Sequence, residues 1–352
     1  MTSLSDFFGL DGCEVTNLRR EGGTNVIDAV VTGGDPPRCE RCGRERMWRH
    51  GKRTRRVSHG PIGRTPLDVL LTFDRWRCPD CGCTCTPEMR VVERRARLTN
   101  MLKEYIAHMM QVFQGAVARV ARLFRLSWGA VWRVLLKVKP SMPLRVRNVC
   151  IDEVLFEGPR GFATALCDAD TSCVLGMEKG RGMKPAEVLL LSLPRDVRRH
   201  VRTLATDFTK GHRNAAYRML PKVEVAADRF HLQRLATKAL RETPEENREG
   251  VAAHLHEFRE ILVEGGSRGK EKLDAWLSST LHAEAAFGKF RELVGDWRHE
   301  IDTYLTTRRS NGVAEAVNRR IGLIRRTGFG YTNFANFVWR IILANPPLHH
   351  ES

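Results

Sequence analysis

The sequence has no apolar run close to the roughly 20 residues that cross a bilayer, which removes a membrane-spanning helix from consideration. Its opening segment, Met1 to Asp6, lacks the basic-then-apolar order of a secretion signal, so a cytoplasmic protein is expected. Acidic residues are the scarcer charge: 41 Asp and Glu against 58 Lys and Arg leave a formal net charge of +17. An excess of that size points to a polyanionic partner, with nucleic acid ahead of an acidic membrane surface. There is no internal repeat and no low-complexity tract. With 42% hydrophobic and 28% charged residues the chain reads as globular, and 352 residues accommodate two or three domains.

What is present in excess is cysteine, and it is clustered. Six of the ten cysteines fall between positions 39 and 85. Without a secretion signal, metal binding explains them better than disulfides. Cys39-x-x-Cys42 and Cys78-x-x-Cys81, each followed by glycine, supply the four thiolates of a structural zinc ion. The segment between them should form a β-hairpin, making a zinc ribbon. Cys83 and Cys85 can substitute for a member of the second pair and are read as spectators. The intervening segment carries Arg49, Lys52, Arg53, Arg55 and Arg56, a surface suited to the DNA backbone or, more plainly, a solvated basic hairpin.

Downstream the pattern changes to helical spacing. A helix over 98–113 precedes Ala116 to Phe124, which places Val117, Val120, Ala121 and Phe124 on one face. Ser127 can cap a helix from Trp128 to Val138, with Val131, Leu135 and Val138 inward. Three helices with a tight turn suggest a helix-turn-helix presenting Trp128, Trp132 or Arg133 to the major groove, although many helical bundles share this pattern. Beyond Pro140 and Pro143, β-rich runs (149–156, 162–167, 173–177, 201–206 and 223–227) give way to alternating helix and strand, predicting a mixed α/β sheet. Residues 229–305 read as nearly all helix, and a last helical section covers 310–344.

Asp152 closes the β-branched stretch Val149-Cys150-Ile151, Asp207 closes the run from Val201 to Thr206, and Glu315 lies in a helix-like stretch. Carboxylates at buried strand ends are costly unless paired, hydrated or bound to a cation. These three can hold a pair of hard divalent ions suited to phosphoryl transfer. Each has a plainer reading: Glu153 adjoins Asp152, Asp207 can cap the next helix, and Glu315 can pair with Arg319 at i,i+4.

Ile151-Asp152-Glu153, Asp228-Arg229-Phe230-His231, Ser310-Asn311-Gly312-x-x-Glu315-x-x-Asn318 and the tail from Ile324 to Phe334 together resemble the motif series of ISL3-family insertion-sequence transposases of bacteria. The resemblance covers nearly the whole chain. It implies an RNase H-like fold with an all-α insertion and a DDE triad of Asp152, Asp207 and Glu315 binding two Mg2+ (or Mn2+). It also implies Asp228 and His231 near the active site, though an N-cap with a surface histidine is the plainer reading of that pair. The implied organisation is a zinc ribbon (1–95), a helix-turn-helix (96–142), a first catalytic part (143–230), a helical insertion (231–306) and a C-terminal catalytic part (307–352). The implied activity is recognition of terminal inverted repeats in double-stranded DNA, then strand cleavage and transfer to target DNA by a homodimer or higher oligomer on the nucleoid. A catalytically silent DNA-binding derivative and a nuclease without strand transfer are the alternatives. Ala316 departs from the family, where glycine is usual after the glutamate, and the chain is somewhat short.

Overall fold

A computed structural model describes residues 3–32, 35–112, 115–140, 142–157, 161–220, 222–279 and 285–346. The chain divides into two compact units, Met1–Val138 and Lys139–Ser352.

The first unit opens with α1 (Leu4–Phe7) and a sheet built from β1 (Cys13–Glu21), β2 (Thr24–Val31), β3 (Trp48–Ile62), β4 (Thr65–Arg77) and β5 (Thr84–Cys85). Strand order is β1-β2-β4-β3, with β5 beside β4; β2 and β4 run parallel and the other pairs antiparallel. The expected hairpin is therefore present as β3–β4. Along β4, Leu67, Val69, Leu71 and Phe73 alternate inward onto Ile27, Ala29 and Val57. Burial of each such side chain is worth about 2 kcal/mol. β1, rich in charged residues, carries too weak an alternation to be read from sequence.

Three helices follow: α2 (Asn100–Val112), α3 (Val117–Leu123) and α4 (Trp128–Leu135). The turn between α3 and α4 passes through Arg125 at φ 53°, and Ser127 caps α4 by accepting from the Ala130 N–H at 3.2 Å. α4 ends earlier than the sequence pattern suggests. The Lys137 and Val138 N–H groups bond three residues back, to Val134 and Leu135, so the last turn tightens before Pro140.

The second unit contains β6 (Asn148–Glu157), β7 (Gly161–Asp168), β8 (Val174–Lys179), α5 (Met183–Ser192), α6 (Arg195–His200), β9 (Thr203–Thr206), α7 (Lys210–Met219) and β10 (Glu224–Ala227). It continues with α8 (Arg229–Glu242), α9 (Glu245–Glu264), α10 (Gly266–Ser278), α11 (Ala285–Asp296), α12 (Arg298–Thr307), α13 (Gly312–Thr327) and α14 (Phe334–Ile342). The sheet order is β10-β9-β6-β7-β8; β6, β7 and β8 form an antiparallel meander, while β6, β9 and β10 are parallel. This is the RNase H-like mixed sheet.

Strand periodicity assigns the two faces. Cys150, Val154 and Phe156 of β6 pack with Ala314, Val317, Ile321 and Ile324 of α13 and with Phe337 and Ile341 of α14. Val149 and Ile151 point the other way, to Ala186, Leu189 and Leu190 of α5 and Ala215 and Ala216 of α7. Helices α8 to α12 form the all-α insertion with its own aromatic core, in which Phe258, Trp276, Phe287 and Trp297 are buried. It is tied to the sheet by α7: Arg213 stacks 4.4 Å over Trp297 and donates to the Asp296 carbonyl at 3.0 Å, and Tyr217 donates to Glu300 at 2.8 Å.

Candidate functional site

Parallel pairing decides where the aspartates lie. Ile151 of β6 is opposite Thr206 of β9, which is opposite Ala227 of β10. The next residues are Asp152, inside β6 and not at its end as the sequence pattern suggests, and Asp207 and Asp228, just past the ends of β9 and β10, so three carboxylates occupy neighbouring positions about 4.8 Å apart laterally. Asp152 has the parity of Cys150 and Val154 and faces α13. There Asn318 donates Nδ2–H to Asp152 Oδ2 at 2.9 Å, and the Glu153 N–H donates to Oδ1 at 2.8 Å.

Glu153 has the opposite parity, which separates it from Asp152. Its carboxylate meets the Gly182 N–H at 3.2 Å and Arg181 at 3.0 Å, and lies 3.9 Å from His212 Nε2. His212 is fully buried; its Nδ1 is 3.2 Å from the Thr206 hydroxyl and 3.5 Å from Asp207 Oδ1. Asp207 also accepts from the Thr209 N–H at 3.1 Å, whereas the N-cap of α7 is Thr209 itself. Asp207 thus closes an Asx-type turn rather than capping the helix.

The two carboxylates have different electrostatics. Burial pushes the Asp152 carboxyl up to about 6, with the Asp207 charge adding to the effect. Burial also acts to raise Asp207, but hydrogen bonds from His212 and Thr209 outweigh it and hold the group below its usual range. Neither has a lysine or arginine partner among the described residues; Asp152 has the two N–H donors above and Asp207 has His212. Two adjacent half-buried carboxylates without a lysine or arginine partner fit a divalent cation, whose charge offsets both desolvation and repulsion.

Glu315 is on the same helix as Asn318, one turn earlier, but its side chain is 57% exposed and pairs with Arg319 at 2.6 Å. Among the described residues, the only groups of three or more metal-type side chains with ligand atoms all within 4.8 Å of one another are cysteines. The trio is therefore not gathered: Asp152 and Asp207 are neighbours, and Glu315 is turned to solvent.

Asp228 caps α8, accepting from the Phe230 and His231 N–H groups, and is only 5% exposed. It also accepts the Asn311 N–H at 3.2 Å, fastening the start of the insertion to the start of α13. His231 Nδ1 lies 3.6 Å from Asp228. Asn311, Asn318 and His212 are contacts the sequence reading did not single out. The two asparagines stand inside the quoted motif around Glu315, whereas nothing local marks the histidine.

In the first unit, Cys39, Cys42, Cys78 and Cys81 converge, with Sγ–Sγ distances of 3.4 Å for Cys39–Cys81 and 3.5 Å for Cys42–Cys78. Thiolates bound tetrahedrally at 2.3 Å would stand roughly 3.8 Å apart, so this set could bind zinc. Both knuckles fold alike: the Gly43 and Gly82 N–H groups donate to the Cys39 and Cys78 carbonyls, and each glycine has positive φ, 75° and 69°. N–H groups of Cys42 and Arg41 lower the Cys39 thiol to about 6. Cys83 and Cys85 form a second close group with Cys39.

The expected DNA-facing residues divide. Lys52, Arg53, Trp128 and Arg133 are exposed. Arg49 pairs with Asp74 and Arg56 with Asp68, while Arg55 is half-buried, 5.9 Å over the Phe73 ring. Trp132 is corrected: it is 8% exposed and stacks on Trp128 with ring centroids 5.2 Å apart. On a helix this short the inward arc takes in Val131, Trp132, Val134 and Leu135, which is wider than the stripe inferred from sequence. No helix among the described residues is long and apolar enough to cross a membrane.

The comparisons agree with this architecture. The family model described as "Transposase", from the ISL3 DDE group, matches residues 149–257 and 245–341, and the "Helix-turn-helix domain of transposase family ISL3" matches 88–138. The chain is also similar to the "Transposase for insertion sequence element IS1001" of Bordetella parapertussis, 25% identical over 199 residues, 55% of this chain and 48% of that protein. It thus spans about half the length of that curated relative. With the sheet, the insertion and α13 all inside a match covering more than half of its length, the chain belongs to the ISL3 family of transposases.

Proposed function

We propose that the chain is a DDE transposase that binds the terminal inverted repeats of its element and cleaves and joins DNA strands. The observation that carries this reading is the register that sets Asp152 beside Asp207, facing the helix that bears Glu315. Asp152, Asp207 and Glu315 are the residues that would hold two Mg2+ or Mn2+ ions. Bound there, such ions supply charge stabilisation of the phosphodiester and a nucleophile at neutral pH. Asn318 and the Glu153 N–H fix the Asp152 carboxylate, while His212 and the Thr209 N–H orient Asp207. Glu315 would exchange Arg319 for the site, and giving up an exposed i,i+4 pair costs only tenths of a kcal/mol.

Cys39, Cys42, Cys78 and Cys81 would hold structural zinc. The ribbon and helix-turn-helix would bind double-stranded DNA through Lys52, Arg53, Trp128 and Arg133, the base-facing contribution coming from α4. Asp228 and His231 brace the insertion rather than bind metal, because N–H donors already occupy the Asp228 oxygens. A homodimer or higher oligomer on the nucleoid brings two element ends together. The five-part division into ribbon, helix-turn-helix, split catalytic domain and insertion serves this scheme.

The outward Glu315 favours a second reading, a catalytically silent DNA-binding derivative. A strand-transfer assay with Mg2+ and a fragment carrying the flanking repeats decides: cleavage with joining supports transposition, binding alone supports the derivative, and cleavage without joining supports a nuclease.

A further inference from the structure

The turn that ends α13 does something unusual for its residue types. Phe329 sits at φ 55°, a region a bulky side chain adopts only when its surroundings require it, and its side chain is 81% exposed. The turn is enforced from beneath. A Cβ on Gly328 would lie 2.5 Å from the Tyr331 ring, so only glycine lets that ring close over the helix end. Tyr331 in turn packs 5.0 Å from the buried Phe337, and the Phe329 and Gly330 N–H groups bond back to Arg326 and Arg325. The phenyl ring is thus held outward by an anchored turn.

It rims an open cavity of about 470 Å³ bounded by Leu155, Phe156, Arg325, Arg326 and Tyr331. Arg325 is fixed by its bond to the Leu155 carbonyl at 2.8 Å, and Arg326 is exposed on the same rim. Leu155 is three residues along β6 from Asp152, about 10 Å. An exposed aromatic beside two guanidinium groups, next to a site that acts on phosphodiesters, suits a base with a free π-face and its backbone phosphates.

We propose that Phe329 is a stacking platform for an unpaired nucleobase of a DNA strand, with Arg326 taking the adjacent phosphate. This rests on the transposase reading, but its test needs no catalysis. The probes are a fluorescein-labelled dT oligonucleotide and a duplex of the same length, titrated against the full chain. Phe329→Ala should weaken single-strand binding about tenfold with an unchanged salt slope, and leave duplex binding as it was. Phe329→Trp should bind as tightly as the parent or more so. Arg326→Gln should instead reduce the single-strand salt slope by about 0.7.

Photo-crosslinking of a 5-iodouracil strand should mark Phe329. Equal loss on both probes, no loss on either, or crosslinks only at other aromatic residues would overturn the assignment. So would reduced self-association of Phe329→Ala with unaltered strand affinity, which would assign the ring to a protein contact. If Phe329→Ala binds normally while Asp152→Asn still loses cleavage, the platform fails and the transposase reading stands. If strand affinity falls as expected but the parent protein cleaves nothing, the reverse holds.

Discussion

The cysteine cluster and the carboxylate site are both candidate metal centres, and they are assembled to different degrees. Four sulfurs from two Cys-x-x-Cys knuckles already converge, because each knuckle is a local turn closed by its own backbone bonds and the β3–β4 hairpin brings the two together. The carboxylates come from three elements far apart in sequence. Register joins Asp152 to Asp207, while Glu315 stays with Arg319. Neutral or partly protonated thiols tolerate one another at contact distance. Three carboxylates do not, and Glu315 has a partner of its own in Arg319 one turn along α13. A set of soft ligands can therefore be prebuilt, whereas a set of carboxylates resists convergence by its own charge.

The largest effect should come from the prebuilt site. Cys39→Ser or Cys81→Ser should lose the zinc measured by mass spectrometry and unfold the region around residues 39–85, since a structural zinc contributes about 10 kcal/mol or more at neutral pH. Cys83→Ser should keep its zinc; loss there would move the ligand set to the Cys39, Cys83 and Cys85 group. At the other site, Asp152→Asn should lower strand cleavage by about a thousandfold or more while leaving DNA binding, read by gel shift, unaltered.

Asp152 also makes stability pH-dependent. Its folded value of about 6 exceeds the ordinary 3.8, so in metal-free protein its contribution is intact below 3.8 and is lost as pH rises through 6. Asp152→Asn should consequently raise metal-free stability at pH 7.5 by up to about 3 kcal/mol and change little at pH 4, checked by denaturant melts. The smallest effect is at the exposed carboxylate, Glu315. Arg319→Ala should change stability by only tenths of a kcal/mol and lower the Mg2+ needed for half-maximal cleavage about twofold.

Much of this was legible because it is local. Knuckle spacing, the Ser127 cap, the helix breaks at Thr243-Pro244 and Gly265-Gly266, and the strand run ending just before Asp207 are each set by neighbouring residues, whereas β6 runs on through Asp152 to Glu157. The family motifs then supplied the order of the parts. What escaped depends on packing between distant segments. Trp132 turned inward because the buried arc of α4 is wide, α6 arises in a charged stretch with no apolar stripe, and the links from Asn318 and Asn311 to β6 and Asp228 need the folded α13. The separation of Asp152 from Glu153 was implicit in strand parity once β6 was placed.

The most direct test of the central claim is iron(II) substitution in the protein–DNA complex, followed by hydroxyl-radical cleavage of the polypeptide and mapping of the cuts. Cuts near residues 152, 207 and 315 together are the expected result, because repeat DNA and cation should draw Glu315 away from Arg319. Cuts confined to the neighbourhoods of Asp152 and Asp207, or absent from both, with Glu315 untouched, would contradict it.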